Sequence, residues 1–355
     1  MICEGKTILV TGGTGSMGKT LVRRILSGEL GTPKKVIVFS RDEAKQHELR
    51  VSYLHRLVAT DEVIYRNFMN VLEFRIGDVR NYHDICSAIK ETDIVVNAAA
   101  LKQVPACEYF PAQAVLTNCT GAANIVRAIE ENDYPVETVV GISTDKACKP
   151  VNVMGMTKSI QERIFTSANI LNPNTRFICV RYGNVLASRG SVIPLFIEQI
   201  INGGPVTVTV PQMTRFLLSL DQAVDTVITA IREAKAGETY VPRAPSATVF
   251  NIAKALIGKQ TIEIRKTGIR PGEKMHEIMV SEEEANHCVA RGDYYAILSM
   301  LPELQKEKNS EPMALSKDYS SADEVLDFDG TVALLQKHRL MVKDVQLTYK
   351  GEILR

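Results

Sequence analysis

The first half of the chain consists of short apolar runs separated by stretches of helical spacing. β-Branched and apolar residues fill 7–10, 35–39, 72–76, 94–97, 138–142 and 177–181, which predicts six strands. The runs are nearly continuous in apolar residues, as in strands buried on both faces. Between them, 18–26, 118–131 and 156–168 carry helical spacing, and 41–66 is a polar, helix-prone excursion before the third strand. This alternation predicts an α/β fold, a doubly wound parallel sheet of the Rossmann type.

From about Asn184 the pattern loosens, with Pro, Gly and turn residues clustered at 188–194, 202–205 and 242–245. Residues 221–234 form one more good helix, with Asp221 as the expected cap and Val224, Val227, Ile228 and Ile231 in one stripe. Residues 327–340 read as helical, and 303–317 as charged and exposed. The expected organisation is a dinucleotide-binding domain of residues 1–183 plus about 216–236. A smaller, partly discontinuous substrate domain follows (184–215 plus 237–340), then a tail, 341–355.

With 45% hydrophobic and 23% charged residues, a chain of 355 residues can bury a substantial core. A formal net charge of +1 gives no electrostatic reason to expect a nucleic-acid partner. The segment Met1–Lys6 has no leader-like pattern, and no apolar run reaches the length of a membrane span. The seven cysteines are scattered, without Cys-x-x-Cys, and His276-Glu277 lacks the second histidine of a zinc motif. Reduced thiols, a cytoplasmic location and no metal are therefore expected.

The first predicted strand runs into Thr11-Gly12-Gly13-Thr14-Gly15-Ser16-Met17-Gly18. Glycines at 12, 15 and 18 permit a tight turn, close backbone approach to a pyrophosphate and close helix packing, with the helix N-terminus facing the phosphates. At the end of the second strand, Ser40-Arg41 with Lys45 one turn on favours a 2′-phosphate, hence NADP over NAD. Asp42 tempers this, since it could turn inward to a ribose hydroxyl. Asp78 and Val79 suit an adenine edge, and Ala98-Ala99-Ala100 supply small residues where the cofactor must pass.

The segment Ser143-Thr144-Asp145-Lys146 leads to Met154-Gly155-Met156-Thr157-Lys158. Together with the glycine cradle, Asp78-Val79, Ala98–Lys102, Arg181–Val185, Ser188–Pro194, Met213–Phe216 and Arg270–Lys274, it resembles the extended short-chain dehydrogenases. Within them it is similar to the inverting UDP-N-acetylglucosamine 4,6-dehydratases of bacterial polysaccharide synthesis. Such enzymes normally read Tyr-x-x-x-Lys. Met154 in the tyrosine position resembles the subgroup that joins 5-epimerisation to dehydration on the way to N-acetyl-L-fucosamine, a component of capsule and O-antigen. The likeness covers the chain to about residue 330.

The resemblance implies a lyase with a tightly bound, recycled NADP that takes hydride from sugar carbon 4 and returns it to carbon 6. It implies Asp145 as the acid for the leaving hydroxyl on carbon 6 and Lys146 as the base at carbon 5. A basic Lys146 needs a lowered pKa, from burial or from a nearby cation such as Lys158. Lys158 is expected to hold the nicotinamide ribose, near Asn118. A thioether accepts no proton, so the base for the carbon 4 hydroxyl is either Asp145 or Lys158 acting through a water, with Thr144 as a hydrogen-bond partner. Lys102, Asn184, Arg189, Val192, Thr214, Arg215, Arg270 and Glu273 are the expected contacts to UDP-N-acetylglucosamine. A homo-oligomer, hexameric by resemblance, is expected. Two alternatives stay open: a nucleotide-sugar epimerase on the same scaffold, and an inactive NADP-binding regulator, for which Met154 is the support.

Overall fold

A computed structural model describes residues 1–54, 61–186, 191–269, 272–305 and 311–344. Its centre is a nine-stranded sheet built from β1 (Thr7–Thr11), β2 (Lys35–Ser40), β3 (Leu72–Ile76), β4 (Ile94–Asn97), β5 (Thr138–Thr144), β6 (Arg176–Tyr182), β7 (Thr239–Pro242), β8 (Cys288–Arg291) and β9 (Tyr294–Ile297). The order across the sheet is β8-β9-β7-β6-β5-β4-β1-β2-β3. β1 to β7 run parallel, and β9 and β8 close the edge antiparallel. The fold is therefore α/β, a doubly wound Rossmann sheet whose strand order reverses between β1 and β4.

Alternation along each strand feeds two cores. Ile8 and Val10 of β1 face a layer with Leu21, Ile25, Val224 and Val227. Leu9 faces the opposite layer, with Ile85, Ile125, Phe165 and Phe177. A third core, around Phe196, Ile197, Leu217, Ile252 and Leu256, belongs to the second half of the chain and takes in Leu335 from the helix Phe328–Lys337.

Three corrections follow. The main sheet recruits β7, β8 and β9 from the stretch expected to form only the smaller domain, because a hairpin at Gly292-Asp293 brings β8 and β9 together at an open sheet edge. Ser219, not Asp221, caps the helix Leu220–Glu233: its hydroxyl accepts from Gln222 N–H and Gln222 reaches back, a full capping box. The expected helix over 118–131 begins as a π-helical turn, Val115–Thr120, which continues into Gly121–Asn132. Among the described residues no helix is long and apolar enough to cross a membrane, and all seven cysteines are free.

Candidate active site

The carboxyl edge of β1 carries the candidate cofactor cradle. Gly12 has φ of +65°, and a Cβ there would lie 2.8 Å from the Ala99 backbone. Only glycine allows this approach of β1 to β4. Thr11 Oγ1 pins the same junction, donating to Asn97 Oδ1 at 2.7 Å and accepting from Ala99 N–H at 3.2 Å. Gly15 caps the helix Ser16–Leu26 without any side-chain acceptor. The first-turn N–H groups at Ser16, Met17 and Gly18 therefore remain open toward the mouth of the sheet, an anion site beside Thr14. This cradle fits a dinucleotide. A Gly12→Ala protein is expected to lose bound nicotinamide nucleotide at least about tenfold, since the left-handed conformation alone costs about 1–2 kcal/mol and the methyl meets main chain. Nucleotide released from denatured protein measures it, and wild-type content in the variant would disprove the cradle.

At the end of β2, Ser40 Oγ accepts from Gln46 Nε2, and Arg41 lies 3.6 Å from Asp78, about half-exposed. Asp42 does not turn inward: it caps the following helix through Lys45 N–H and pairs with the Lys45 ammonium. Asp78 is held below the usual carboxylate range by Arg80 and Arg41, against its partial burial. Val79 packs under Gly121. Asn118 is fully buried, its amide spent on Leu101 N–H, Leu101 C=O and Thr157 Oγ1. It thus fixes the segment that follows Ala98-Ala99-Ala100 rather than pointing into open space. Lys102 is exposed.

The candidate dipeptide Asp145-Lys146 sits where β5 ends. Asp145 is completely buried. Its Oδ1 accepts from Thr144 Oγ1 at 2.8 Å and from Lys146 Nζ at 3.0 Å. Its Oδ2 has no hydrogen-bond partner among the described residues. Lys146 Nζ also donates to Asn184 Oδ1 at 3.3 Å and lies 3.2 Å from Glu277 Oε1. Burial raises the Asp145 pKa. Burial would lower that of Lys146, but Asp145 and Glu277 more than offset it and the net direction is up. The expected cation, Lys158, is not what faces Lys146; the positive charges reaching it are Arg215, 3.6 Å from Glu277, and Lys274. The resting Lys146 is therefore an ammonium, because two carboxylates flank it.

Helix Val153–Leu171 presses directly on this dipeptide. Asn152 caps it through Gly155 N–H, and a Cβ on Gly155 would stand 2.1 Å from the Lys146 carbonyl oxygen. Met154, one turn before Lys158, is buried against Cys107 and Ala114. Lys158 is buried, donates to Gln161 Oε1 at 2.7 Å, and is lowered to about 8 by desolvation.

The second half supplies the other wall. Asn152 Nδ2 donates to Gly272 C=O at 2.9 Å, and Lys274 Nζ to Cys148 C=O at 2.6 Å. Thr214 Oγ1 is engaged with His276 Nδ1 and Ser321 Oγ. Arg215 is buried and donates to Thr214 C=O. Glu273 is partly buried nearby in sequence, and Val192 opens the helix Val192–Ile201. Arg189 and Arg270 lie outside the described residues. The structure thus joins Thr144, Asp145, Lys146 and Asn184 in one cluster. Glu277 joins this cluster although in the sequence His276-Glu277 reads only as an incomplete zinc motif; its one local signal is its place three residues beyond Arg270–Lys274.

Residues 8–299 match the polysaccharide biosynthesis protein family. The chain belongs to that family. A family relative named UDP-glucose 4-epimerase, from Rickettsia typhi, is 42% identical over 325 residues, 89% of this chain and 91% of its own length. The solved structure of Pen from Bacillus thuringiensis is 34% identical, covers 96% of this chain and all of its own, and superposes with a TM-score of 0.85. DesIV from Streptomyces venezuelae, a dTDP-glucose 4,6-dehydratase solved with NAD, shares the fold at 19% identity and a TM-score of 0.64, covering 76% of this chain and 86% of its own. The relatives and fold neighbours so named are nucleotide-sugar epimerases and dehydratases.

Proposed function

We propose that this protein carries out NADP-dependent 4,6-dehydration of UDP-N-acetylglucosamine with inversion at carbon 5, feeding the synthesis of a surface polysaccharide. The observation that carries this reading is the Asp145–Lys146 pair at the carboxyl edge of β5, its carboxylate buried and its amine partly exposed, in a chain with a methionine where a tyrosine acid–base would stand. A dehydratase needs an acid and a base on adjacent carbons. An epimerase that only exchanges hydride at carbon 4 has no use for them.

The residues divide the work. When bound, the nicotinamide supplies hydride acceptance at carbon 4 and hydride return at carbon 6. Moving one proton across the 3.0 Å from Lys146 Nζ to Asp145 Oδ1 creates a neutral acid and a neutral amine together. Burial favours that neutral pair, while Coulomb attraction favours the ion pair seen at rest. Lys146 then takes the carbon 5 proton as Asp145 protonates the leaving hydroxyl. The pair is left charged again, and Lys146 returns a proton to carbon 5. Lys158, with its lowered pKa and its position one turn after Met154, accepts the carbon 4 hydroxyl proton through a water. That proton resets Asp145 for the next cycle. Arg41, half-exposed at the end of β2 and 3.6 Å from Asp78, with Asp42 turned to Lys45 rather than inward, supports NADP over NAD.

Arg189, Arg215, Arg270 and Glu273 are the proposed grip on the UDP moiety. Tyr109, Phe110 and Leu171 are large apolar side chains left 82%, 64% and 69% exposed, which supports a homo-oligomer, a hexamer by resemblance. The relative named UDP-glucose 4-epimerase favours 4-epimerisation as a second reading. Proton NMR of the protein with UDP-N-acetylglucosamine in D₂O, with and without added NADP⁺ or NAD⁺, separates the two. Dehydration is expected to give an upfield methyl signal and deuterium at carbon 5. A galacto-configured anomeric signal without a new methyl would establish the epimerase instead.

A further inference from the structure

We infer that Glu277 is a positioning residue for the Asp145–Lys146 pair, one that makes proton handling at Lys146 depend on the docking of the second half of the chain. The inference rests on the dehydratase reading for its catalytic meaning, but its physical content does not. Glu277 is 2% exposed and precedes the strand Ile278–Val280. Its backbone is clamped at both polar groups by one residue: its N–H donates to Ser321 Oγ at 2.9 Å, and its C=O accepts from Ser321 N–H at 2.8 Å. The side chain is thereby aimed at Lys146, 3.2 Å from Nζ, and at Arg215, 3.6 Å from Nε.

A carboxylate placed only to bind two halves together would satisfy both oxygens. Here Oε2 is buried with no hydrogen-bond partner among the described residues, as is Asp145 Oδ2. Leaving such an oxygen unsatisfied disfavours the fold. Both deficient oxygens belong to the carboxylates that flank the one ammonium. The groups facing Lys146 are Asp145 on its own segment, Glu277 and Arg215 from the second half, and Lys274, whose charge also reaches Asp145 and Glu277. Of the two carboxylates that oppose release of the Lys146 proton, Glu277 is the one supplied by the second half of the chain. It keeps the amine charged until the second half and its ligand rearrange the balance.

The test is competitive acetylation of lysines in the full chain across pH, read by peptide mass spectrometry. Lys146 is reachable, its side chain being 22% exposed. In Glu277→Gln the Lys146 labelling midpoint is expected to fall by about one pH unit or more, a tenfold change in the protonation equilibrium, with surface lysines unmoved. Glu277→Asp, which keeps the charge but draws it back, is expected to move less than half as far, and it carries the test should the amide variant not fold. The acid limb of the kcat profile should shift down with the midpoint at unchanged KM, whereas a packing defect lowers kcat at every pH. A wild-type midpoint in folded Glu277→Gln, or in Glu277→Asp if only that folds, would overturn the inference. The labelling needs no substrate. A moved midpoint with no dehydrated sugar from the wild type thus condemns the dehydratase reading alone, and an unmoved midpoint with product formed condemns the inference alone.

Discussion

An Asp145→Asn protein is expected to form dehydrated sugar about a thousandfold more slowly than the wild type, with its bound nicotinamide content unchanged. The amide oxygen can still accept from Thr144 Oγ1 and Lys146 Nζ, so the contacts at 2.8 and 3.0 Å survive. What disappears is the proton store. Asparagine cannot receive a proton from Lys146 or pass one to a leaving hydroxyl, and a positioned general acid typically contributes 10²–10⁴-fold. A thousandfold corresponds to about 4 kcal/mol of transition-state stabilisation. The cofactor cradle lies on β1 and β4 and shares no hydrogen bond with Asp145, so nucleotide released from denatured protein should be the same in both proteins. The new methyl signal in proton NMR gives the rate. A variant within tenfold of wild type would remove Asp145 from the acid role and shift it to a group reached through Lys146.

Five strands, β1, β2, β4, β5 and β6, were legible because they are almost wholly buried, and burial on both faces leaves no polar alternation to confuse their limits, while β3, the partly buried edge strand, alternates Leu72, Phe74 and Ile76 with Glu73 and Arg75. Strands β7, β8 and β9 were not: β7 is buried but ends in a proline, and β8 and β9 carry an arginine and tyrosines on a partly buried hairpin at the sheet edge. Local patterns there are weak, and only pairing with a formed sheet makes them strands. The hairpin signal at Gly292-Asp293 was present all the same. The dipeptide Asp145-Lys146 stood out in the sequence because it follows a strand at the carboxyl edge of the sheet, where α/β sites form. Its surroundings did not. The pairing of Lys146 with Glu277 spans more than a hundred residues of chain and is created by tertiary packing, so the local pattern suggested a lowered amine pKa where the fold supplies two carboxylates. Gly155 has the same lesson: nothing in its neighbours announces that it must clear the Lys146 carbonyl.

Replacing Arg181 with methionine is expected to cost about 4 kcal/mol of stability at neutral pH, the largest structural effect we anticipate from one side chain. Arg181 lies in β6, 2% exposed, and joins the two halves of the chain. It donates to both oxygens of Glu162, at 3.0 and 2.6 Å, and to both of Glu284, at 2.8 and 2.9 Å, with a further bond to Met279 C=O at 2.7 Å. Glu162 also accepts from Ser143 Oγ, two residues before Asp145, so the network backs the end of β5 that carries the candidate dipeptide. Methionine fills much of the volume and leaves two buried carboxylates without their cation. The pH dependence identifies the cause. Burial alone would raise Glu284, yet Arg181 and its other partners bring it down to about 2 from 4.5. A depressed carboxylate contributes stability that is fully present above its unfolded pKa and is lost as pH falls through the folded one. For Glu284 that is about 3 kcal/mol, disappearing between roughly pH 4.5 and 2. Without Arg181 the buried carboxyl prefers its protonated form, so the variant gains relative stability as the medium becomes acidic. Urea unfolding of both proteins should therefore show a gap that is widest at neutral pH and narrows steadily toward about pH 3. A gap of constant size across that range would mean that lost packing, and not the buried ion pairs, makes Arg181 matter.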